Sequence, residues 1–217
     1  MTSDSELGKE AAAEAGARLV RDRMRVGLGS GTTVAHLLQL LPGRARDVTY
    51  VATSWETERT ALELGLDVRP FETLERLDLA LDGADQVAPS GWIVKGGGGA
   101  HTREKIVAAA AERFVVLVSA DKLVVELAPP IPLELLASSV RATLRALAPA
   151  RPREAGPSPD GGVIADYLGP VGDPAALAAR LSSTPGVVEH GLFEPGLVDE
   201  VIAATVGGVT SLRPGST

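Results

Sequence analysis

Apolar and polar positions alternate in blocks along about the first 120 residues of the chain. Short apolar runs, typical of buried strands, occupy residues 25–28, 48–52, 77–81, 92–94 and 114–119. Segments between them have apolar residues at helical spacing and predict helices at about 5–21, 33–41, 53–64 and 102–112. In the first helix this spacing selects Leu7, Ala11, Ala15 and Leu19 as the apolar face. The alternation predicts an α/β fold built on a doubly wound, mostly parallel sheet.

The pattern changes after Leu127, where Pro129, Pro130 and Pro132 interrupt it. A helix is predicted at 133–147, a loop at 148–162, a strand at 163–167, a helix at 174–181 and a strand at 186–189. The apolar segment 201–209 is expected to return to the first sheet, and the tail 213–217 to be disordered. We therefore expect a catalytic domain of residues 1–127 plus about 204–217, and a small α+β domain of residues 128–203 at an oligomer interface.

Composition and charge exclude several classes of function. The 217 residues include 28 acidic and 21 basic side chains, so the net charge of −7 argues against general nucleic-acid binding. The absence of cysteine excludes disulfides and thiolate chemistry, and the three histidines are too scattered to predict a metal site. Because the sequence has neither a long apolar run nor an apolar signal-peptide core, we expect a soluble, cytoplasmic protein without a membrane partner.

The first glycine cluster, GLGSGTT at 27–33, lies between a strand and a helix. Such a turn directs backbone N–H groups and a helix N-terminus toward an anion, and Ser30, Thr32 and Thr33 add hydroxyl donors. The glycine spacing does not match the dinucleotide fingerprint, and no lysine follows as in a Walker A loop. Either a phosphate monoester site or a plain tight turn fits this cluster.

Asp82 and Asp85 flank a Gly-Ala turn at the carboxyl end of an apolar strand. Ligands bind at that edge of doubly wound sheets, and two crowded carboxylates should raise the pKa of one of them. A solvated turn or a helix cap is the alternative.

A run of four glycines, 96–99, follows Lys95 and precedes a predicted helix. Consecutive glycines allow the backbone to approach a ligand closely and present its amides. Lys95 adds a positive charge, and Glu104 in the first turn of the helix is a candidate base, or simply a complement to the helix dipole. We expect Arg103 and Lys105 at the surface; Lys122, after the last strand, is either another ligand-binding lysine or a surface residue.

Taken together and in order, these stretches resemble ribose-5-phosphate isomerases of the A type. The matching stretches are GLGSGTT (27–33), DGAD (82–85), KGGGGAHTREK (95–105), SADK (119–122), SPDGGVIADY (158–167) and PGVVEHGLF (185–193). The resemblance extends from about Lys9 to Thr210. Gln86, His101 and His190 depart from the usual pattern of the family.

The resemblance implies interconversion of D-ribose 5-phosphate and D-ribulose 5-phosphate without metal or cofactor. It also implies a Rossmann-like domain, a smaller α/β domain and a homodimer or homotetramer. The catalytic positions of the family correspond to Glu104 as general base, Asp82, Asp85 and Lys95. The substrate-binding positions correspond to Lys9, Ser30, Gly31, Thr32, Thr33, Gly83, Ala84, Gly96, Gly97, Gly98 and Lys122.

The chemistry of an aldose–ketose isomerase agrees with these residues. A single carboxylate, Glu104, can move a proton between C2 and C1 of a cis-enediolate. Lys95 and the glycine amides would stabilise the charge on O1 and O2, where Asp85 would hold the oxygens or shuttle a proton. Opening of the sugar ring needs acid–base help, and Asp82 is the candidate for it.

Two other classes of function remain as alternatives. A non-catalytic sugar-phosphate sensor would need a DNA-binding segment, for which about 25 residues without a basic cluster before the first strand leave no room. An amino-sugar phosphate deaminase or a CoA-transferase could share the sheet type. A deaminase would be expected to use a histidine near its substrate, and His101 is the one histidine placed near the glycine run.

Overall fold

The computed structural model describes residues 3–74, 76–154 and 156–213. Apart from Arg213, the tail predicted to be disordered lies outside the described residues. The α-helices are α1 Asp4–Ala17, α2 Thr32–Leu40, α3 Trp55–Glu63, α4 His101–Ala110, α5 Val140–Ala146 and α6 Pro174–Ser183. The strands of the first half are β1 Arg25–Leu28, β2 Thr49–Ala52, β3 Asp67–Val68, β4 Leu79–Asp82, β5 Gln86–Val87, β6 Ile93–Val94 and β7 Phe114–Ser119. Those of the second half are β8 Ile131–Leu135, β9 Ala150–Pro152, β10 Val163–Tyr167, β11 Val187–His190, β12 Leu192–Phe193, β13 Glu200–Thr205 and β14 Gly208–Leu212.

The central sheet has seven strands in the order β14-β13-β7-β4-β1-β2-β3. All neighbours pair in parallel except the β13–β14 hairpin, so the predicted doubly wound α/β fold is confirmed. The chain builds outward from β1 in one direction through β2 and β3, and from β4 in the other. The loops that follow β1 and β4 therefore open a crevice at the carboxyl ends of the strands, where the strand order reverses.

Helices cover both faces of the central sheet. The first three helices share one core with Leu28, Leu81 and Leu117, whereas α4 packs on the opposite face with Phe114 and Phe193. The other sheets are smaller: β11-β8-β10-β9 forms one, and β12-β6-β5 the other. No helix in the described ranges is both long and apolar enough to span a bilayer.

The buried face of α1 differs from the predicted one. Leu7, Ala11, Ala15 and Leu19 are only partly buried; the helix instead buries Gly8, Ala12, Ala13, Gly16 and Ala17. A Cβ at Gly8 would lie 2.7 Å from the carbonyl oxygen of Ala204, and one at Gly16 would lie 2.5 Å from Leu117 Cδ1. Small residues thus let the helix lie directly on the sheet, and this close packing outweighs the pattern of larger side chains.

The helix predicted at 133–147 is also wrong in its first part. Ile131–Leu135 is a fully buried central strand of the four-stranded sheet, and the helix occupies only Val140–Ala146. Leu133 and Leu135 suit either element, and the choice depends on pairing with β10 and β11.

One further segment differs from the prediction, and another agrees with it. The predicted loop 148–162 contains β9, and 201–209 belongs to a hairpin whose first strand, β13, joins the central sheet as expected. The two-domain division at 128 and 203 stays a prediction.

Candidate active site

The crevice at the strand-order reversal contains a cleft of about 240 Å³. The cleft is lined by Lys9, Ser30, Gly31, Thr32, Thr33, Gly83, Ala84, Asp85, Lys95, Gly96, Gly97, Gly98, Glu104, Val118, Ser119 and Lys122. Every predicted site residue except Asp82 therefore lines this cleft, and Asp82 contacts the lining residues Lys95 and Ser30. Val118 and Ser119 were missed; Ser119 belongs to the SADK stretch, which pointed to this region.

Three buried charges form the floor of the cleft. Lys95 Nζ lies 2.8 Å from Asp82 Oδ2 and 3.3 Å from Glu104 Oε2, and all three side chains are at most 4% exposed. Lys95 also donates a hydrogen bond of 2.5 Å to the carbonyl oxygen of Gly83. The positive charge thus lies between two carboxylates that come from β4 and α4.

The backbone of the first glycine turn fits directly against Asp82. A Cβ at Gly29 would lie 1.8 Å from Asp82 Cγ, so only glycine fits at this position. Asp82 Oδ1 accepts hydrogen bonds from the backbone N–H of Ser30 at 3.1 Å and of Gly83 at 2.7 Å. Asp82 is therefore held rigidly between the two loops of the crevice.

Burial, and after it the nearby Glu104 charge, raise the pKa of Asp82 to about 7 against the opposing effect of Lys95. Burial disfavours the charged form of Lys95, but Asp82 and Glu104 outweigh it and raise the pKa of that amine. The sequence predicted that a neighbouring carboxylate would raise the pKa of one of the two aspartates. The pKa of Asp82 is raised, but the neighbouring carboxylate is Glu104 rather than Asp85. Asp82 can therefore both bind and release a proton near neutral pH, while Lys95 keeps its charge.

Asp85 lies at the exposed rim of the cleft, next to the second glycine run. Its Oδ2 accepts a hydrogen bond of 2.8 Å from the backbone N–H of Gly97. The run turns through Gly96, whose φ is +102°, and Gly99, whose φ is +77°. Only glycine adopts both conformations without strain.

The opposite wall of the cleft carries the expected features of an anion site. α2 begins after Gly31, and its first turn has no acidic residue. Lys9 reaches the cleft from α1 and pairs at 3.0 Å with Glu6, which also contacts His36 Nε2 at 2.6 Å. The hydroxyl of Ser30 donates at 2.6 Å to Glu104 Oε1, so it links this wall to the candidate base.

His101 is the first residue of α4 and His190 ends β11; neither lines the cleft. His190 Nε2 contacts Ser182 Oγ at 3.0 Å, and its Nδ1 accepts from the Leu192 N–H at 3.2 Å. Lys105, expected at the surface, is largely buried against the Phe193 ring and pairs with Glu189 at 2.7 Å. These contacts support a structural role for His190 and correct the prediction for Lys105.

The two histidines should make the protein sensitive to acid. Burial lowers the pKa of His101 from 6.5 to about 4, and that of His190 likewise. Since the unfolded chain binds protons more tightly in this window, the free energy of unfolding falls as the pH drops from about 6.5 to about 4. For His101 the loss is about 2 kcal/mol at pH 5. Urea denaturation at pH 7 and pH 5 measures the free energy of unfolding, and in His101→Leu the part of its decrease that is due to His101 should be absent. An equal decrease in the variant and the wild type would contradict this prediction.

A larger cleft of about 430 Å³ lies beside α4 and is lined by Arg103 and Asp160. These two charges pair with each other at 2.7 Å, and none of the predicted site residues lines this larger cleft. Within the described ranges, no group of three or more His, Asp or Glu has the arrangement of a metal site.

Comparisons with known proteins point to one family. The profile of ribose 5-phosphate isomerase A (phosphoriboisomerase A) matches residues 49–208. The chain is 40% identical over 225 residues to the ribose-5-phosphate isomerase A of a Synechococcus species, covering 94% of each protein.

Solved structures agree in fold along nearly the whole chain. The ribose 5-phosphate isomerase A of Methanocaldococcus jannaschii superposes with a TM-score of 0.88 at 34% identity, covering 94% of this chain and 97% of that one. A D-ribose-5-phosphate isomerase in complex with phospho-erythronic acid gives a TM-score of 0.91 at 32% identity, covering 97% of this chain and all of that one.

Proposed function

The chain belongs to the ribose 5-phosphate isomerase A family, and from that premise we propose how its cleft performs the reaction. The protein interconverts D-ribose 5-phosphate and D-ribulose 5-phosphate in the pentose phosphate pathway. The observation that carries the residue assignments is the buried Asp82–Lys95–Glu104 group beside the N-terminus of α2, a helix whose first turn contains no acidic residue.

Glu104 acts as the general base that moves the proton between carbon atoms. Its carboxylate takes the proton from C2 of the open-chain aldose and returns it to C1 of the cis-enediolate, so no net proton is lost. The hydrogen bond from Ser30 and the contact with Lys95 hold the carboxylate in one orientation. This fixed position supports transfer between two adjacent carbons by a single group.

Lys95 and the glycine amides stabilise the negative charge that develops on O1 and O2. An ammonium buried to 3% exposure acts in a low-dielectric site, where its field is screened weakly. Asp85, at the rim, holds the same oxygens and carries the proton between them. These groups supply the electrophilic role without a cofactor.

Ring opening needs a base at the O1 hydroxyl and an acid at the ring oxygen. Asp85 takes the O1 proton, and Lys95 donates a proton to the ring oxygen. Because Asp82 touches Lys95 from behind and has a pKa of about 7, it replaces the proton that Lys95 gives away. Asp82 therefore acts through Lys95 rather than by touching the sugar.

The phosphate binds at the N-terminus of α2, against Ser30–Thr33. Backbone N–H groups of the first helical turn and the positive end of the helix dipole suit a dianion, and Lys9 and Lys122 add charge from the walls. Gly83, Ala84 and Gly96–Gly98 approach the sugar through their backbone.

The simplest test of the whole assignment is a coupled assay with ribose 5-phosphate, run in parallel with glucosamine 6-phosphate. Turnover of the first and none of the second is expected. Deamination of glucosamine 6-phosphate would support the deaminase alternative, and tight sugar-phosphate binding without turnover would support a sensor.

Thr32→Glu should raise the KM for ribose 5-phosphate by about 10- to 100-fold, because the added carboxylate would face the substrate dianion. Thr32→Gln has nearly the same size without the charge, so its KM should stay far closer to that of the wild type. Steady-state kinetics on both variants, with circular dichroism to verify the fold, check this. Equal KM values in the two variants would place the phosphate elsewhere.

Activity should survive exhaustive dialysis against EDTA, because Lys95 occupies the electrophilic position that a divalent cation fills in other isomerases. A cation there would also lower the pKa of Asp82 and weaken it as a proton source. Turnover is measured in metal-free buffer before and after addition of Mg²⁺, Mn²⁺ or Zn²⁺. Loss with recovery on one of these ions would reassign Asp82, Asp85 or Glu104 as a ligand.

The protein works as a cytoplasmic homodimer or homotetramer, with the small domain of residues 128–203 at the interface. Exposed apolar side chains on that part of the chain, Leu136 at 52% and Val188 at 43%, support such an interface. Sedimentation equilibrium of the wild type and of Leu136→Lys would measure the assembly and its dependence on this surface.

A further inference from the structure

Arg153 connects the four-stranded sheet to the second glycine run of the active site. The residue follows β9, and its backbone N–H donates to the Ile164 carbonyl at 2.9 Å. Its guanidinium donates to both carboxylate oxygens of Asp166, at 2.7 Å and 2.6 Å. This two-point contact fixes the plane of the guanidinium group.

The remaining nitrogen of the guanidinium group forms hydrogen bonds with the glycine run. Arg153 Nη1 donates to the carbonyl oxygens of Gly96 and Gly97, each at 2.9 Å. The Gly96 carbonyl also accepts from the Gly99 N–H at 3.0 Å, which closes the turn. A segment of four glycines has little conformational preference of its own, so this contact supplies much of its order.

The contact with the carbonyls also determines where the amides point. A trans peptide is planar, with its C=O and N–H on opposite sides, so holding the carbonyl fixes the N–H of the next residue. The peptide of the Gly96 carbonyl directs the Gly97 N–H to Asp85 Oδ2 at 2.8 Å. The peptide of the Gly97 carbonyl directs the Gly98 N–H away from Arg153, in a stretch that lines the cleft.

We propose that Arg153, held by Asp166, is a positioning residue: it orients the Gly98 amide and, through the Gly97 N–H, the Asp85 carboxylate for the charge that develops on O1 and O2. The inference rests on the proposed function, because it concerns the same cleft. Arg153 does not line the cleft and acts only through the glycine backbone. Its positive charge on the carbonyl side also polarises both peptides and makes their N–H groups stronger donors.

The test compares Arg153→Met with Arg153→Lys and a matched control, Arg151→Met. Arg151 lies two residues away on β9 and is exposed, so its replacement removes the same charge without touching the glycine run. The measurements are kcat and KM for ribose 5-phosphate, and the inhibition constant of inorganic phosphate. Circular dichroism and thermal melting verify the fold.

Because the oriented amides act on charge present in the transition state, Arg153→Met should lower kcat by about 10²-fold. The inhibition constant of inorganic phosphate should not change, since the phosphate binds at α2. Arg153→Lys keeps the charge on a single donor nitrogen, which cannot bridge two carbonyls and a carboxylate as the guanidinium does. Its kcat should therefore lie between those of the wild type and Arg153→Met. Arg151→Met should match the wild type.

A kcat for folded Arg153→Met within about threefold of the wild type would overturn the inference. A loss of phosphate affinity in Arg153→Met that parallels its loss of kcat would also overturn the inference, because it would indicate general disruption of the cleft. If Arg153→Met does not fold, Arg153→Lys decides: wild-type kcat in the folded lysine variant refutes the role. A wild-type protein without isomerase activity would refute the proposed function itself, and this inference with it.

Discussion

Glu104→Gln should fold normally and lose about 10²- to 10⁴-fold in kcat, the usual cost of removing a positioned general base. The amide can keep both contacts of the carboxylate: its oxygen faces Lys95 and its NH₂ group donates to Ser30, whose hydroxyl also accepts. The packing and hydrogen bonds therefore change little, whereas the basic oxygen that takes the C2 proton is gone.

Steady-state kinetics and an unfolding curve on the same preparation separate these effects. Glu104→Asp is the matched control, because it keeps the base but withdraws it by one methylene from C1 and C2. Its kcat should lie between those of wild type and Glu104→Gln. A glutamine variant that retains more than half of the wild-type kcat would contradict the assignment of Glu104 as base.

Lys95→Met should abolish turnover and also destabilise the fold by about 3–5 kcal/mol, the usual cost of leaving a buried charge unpaired. Its ammonium lies between Asp82 and Glu104, both of them buried at 4% exposure. Without it, two carboxylates face each other in a low-dielectric site, and the pKa of at least one must rise.

A second substitution separates the loss of stability from the loss of catalysis. Lys95→Met combined with Asp82→Asn removes one of the two unpaired carboxylates, so much of the free energy of unfolding should return while kcat stays low. Urea denaturation of both single variants and the double variant measures the coupling. If the double variant is no more stable than Lys95→Met, the three groups do not act as one electrostatic unit.

The places where the sequence prediction succeeded share a physical reason. The site motifs are local in sequence: they are the glycine run, DGAD and GLGSGTT. Close backbone approach and the functional groups at strand ends depend on consecutive residues, so a sequence pattern can predict them. The alternation of strands and helices then places the ends of β1 and β4 at one edge of the sheet. This is why 14 of the 15 predicted site residues line one cleft.

The errors arise where packing partners are distant in sequence. Leu133 and Leu135 fit a helix or a strand equally well, and pairing with β10 and β11 decides for the strand. Lys105 has a charge typical of the surface, but the Phe193 ring and Glu189 cover it.

The sequence by itself determined the fold class, the family and the chemical types at the site, because these depend on local periodicity and on motifs of adjacent residues. Only the tertiary structure decided how those groups act on one another. It placed Asp82 behind Lys95 and paired Lys95 with Glu104. It also brought Arg153, from a segment predicted to be a loop, onto the glycine run 57 residues away. Burial and contact between remote segments set charge states and orientations, and no local pattern carries that information.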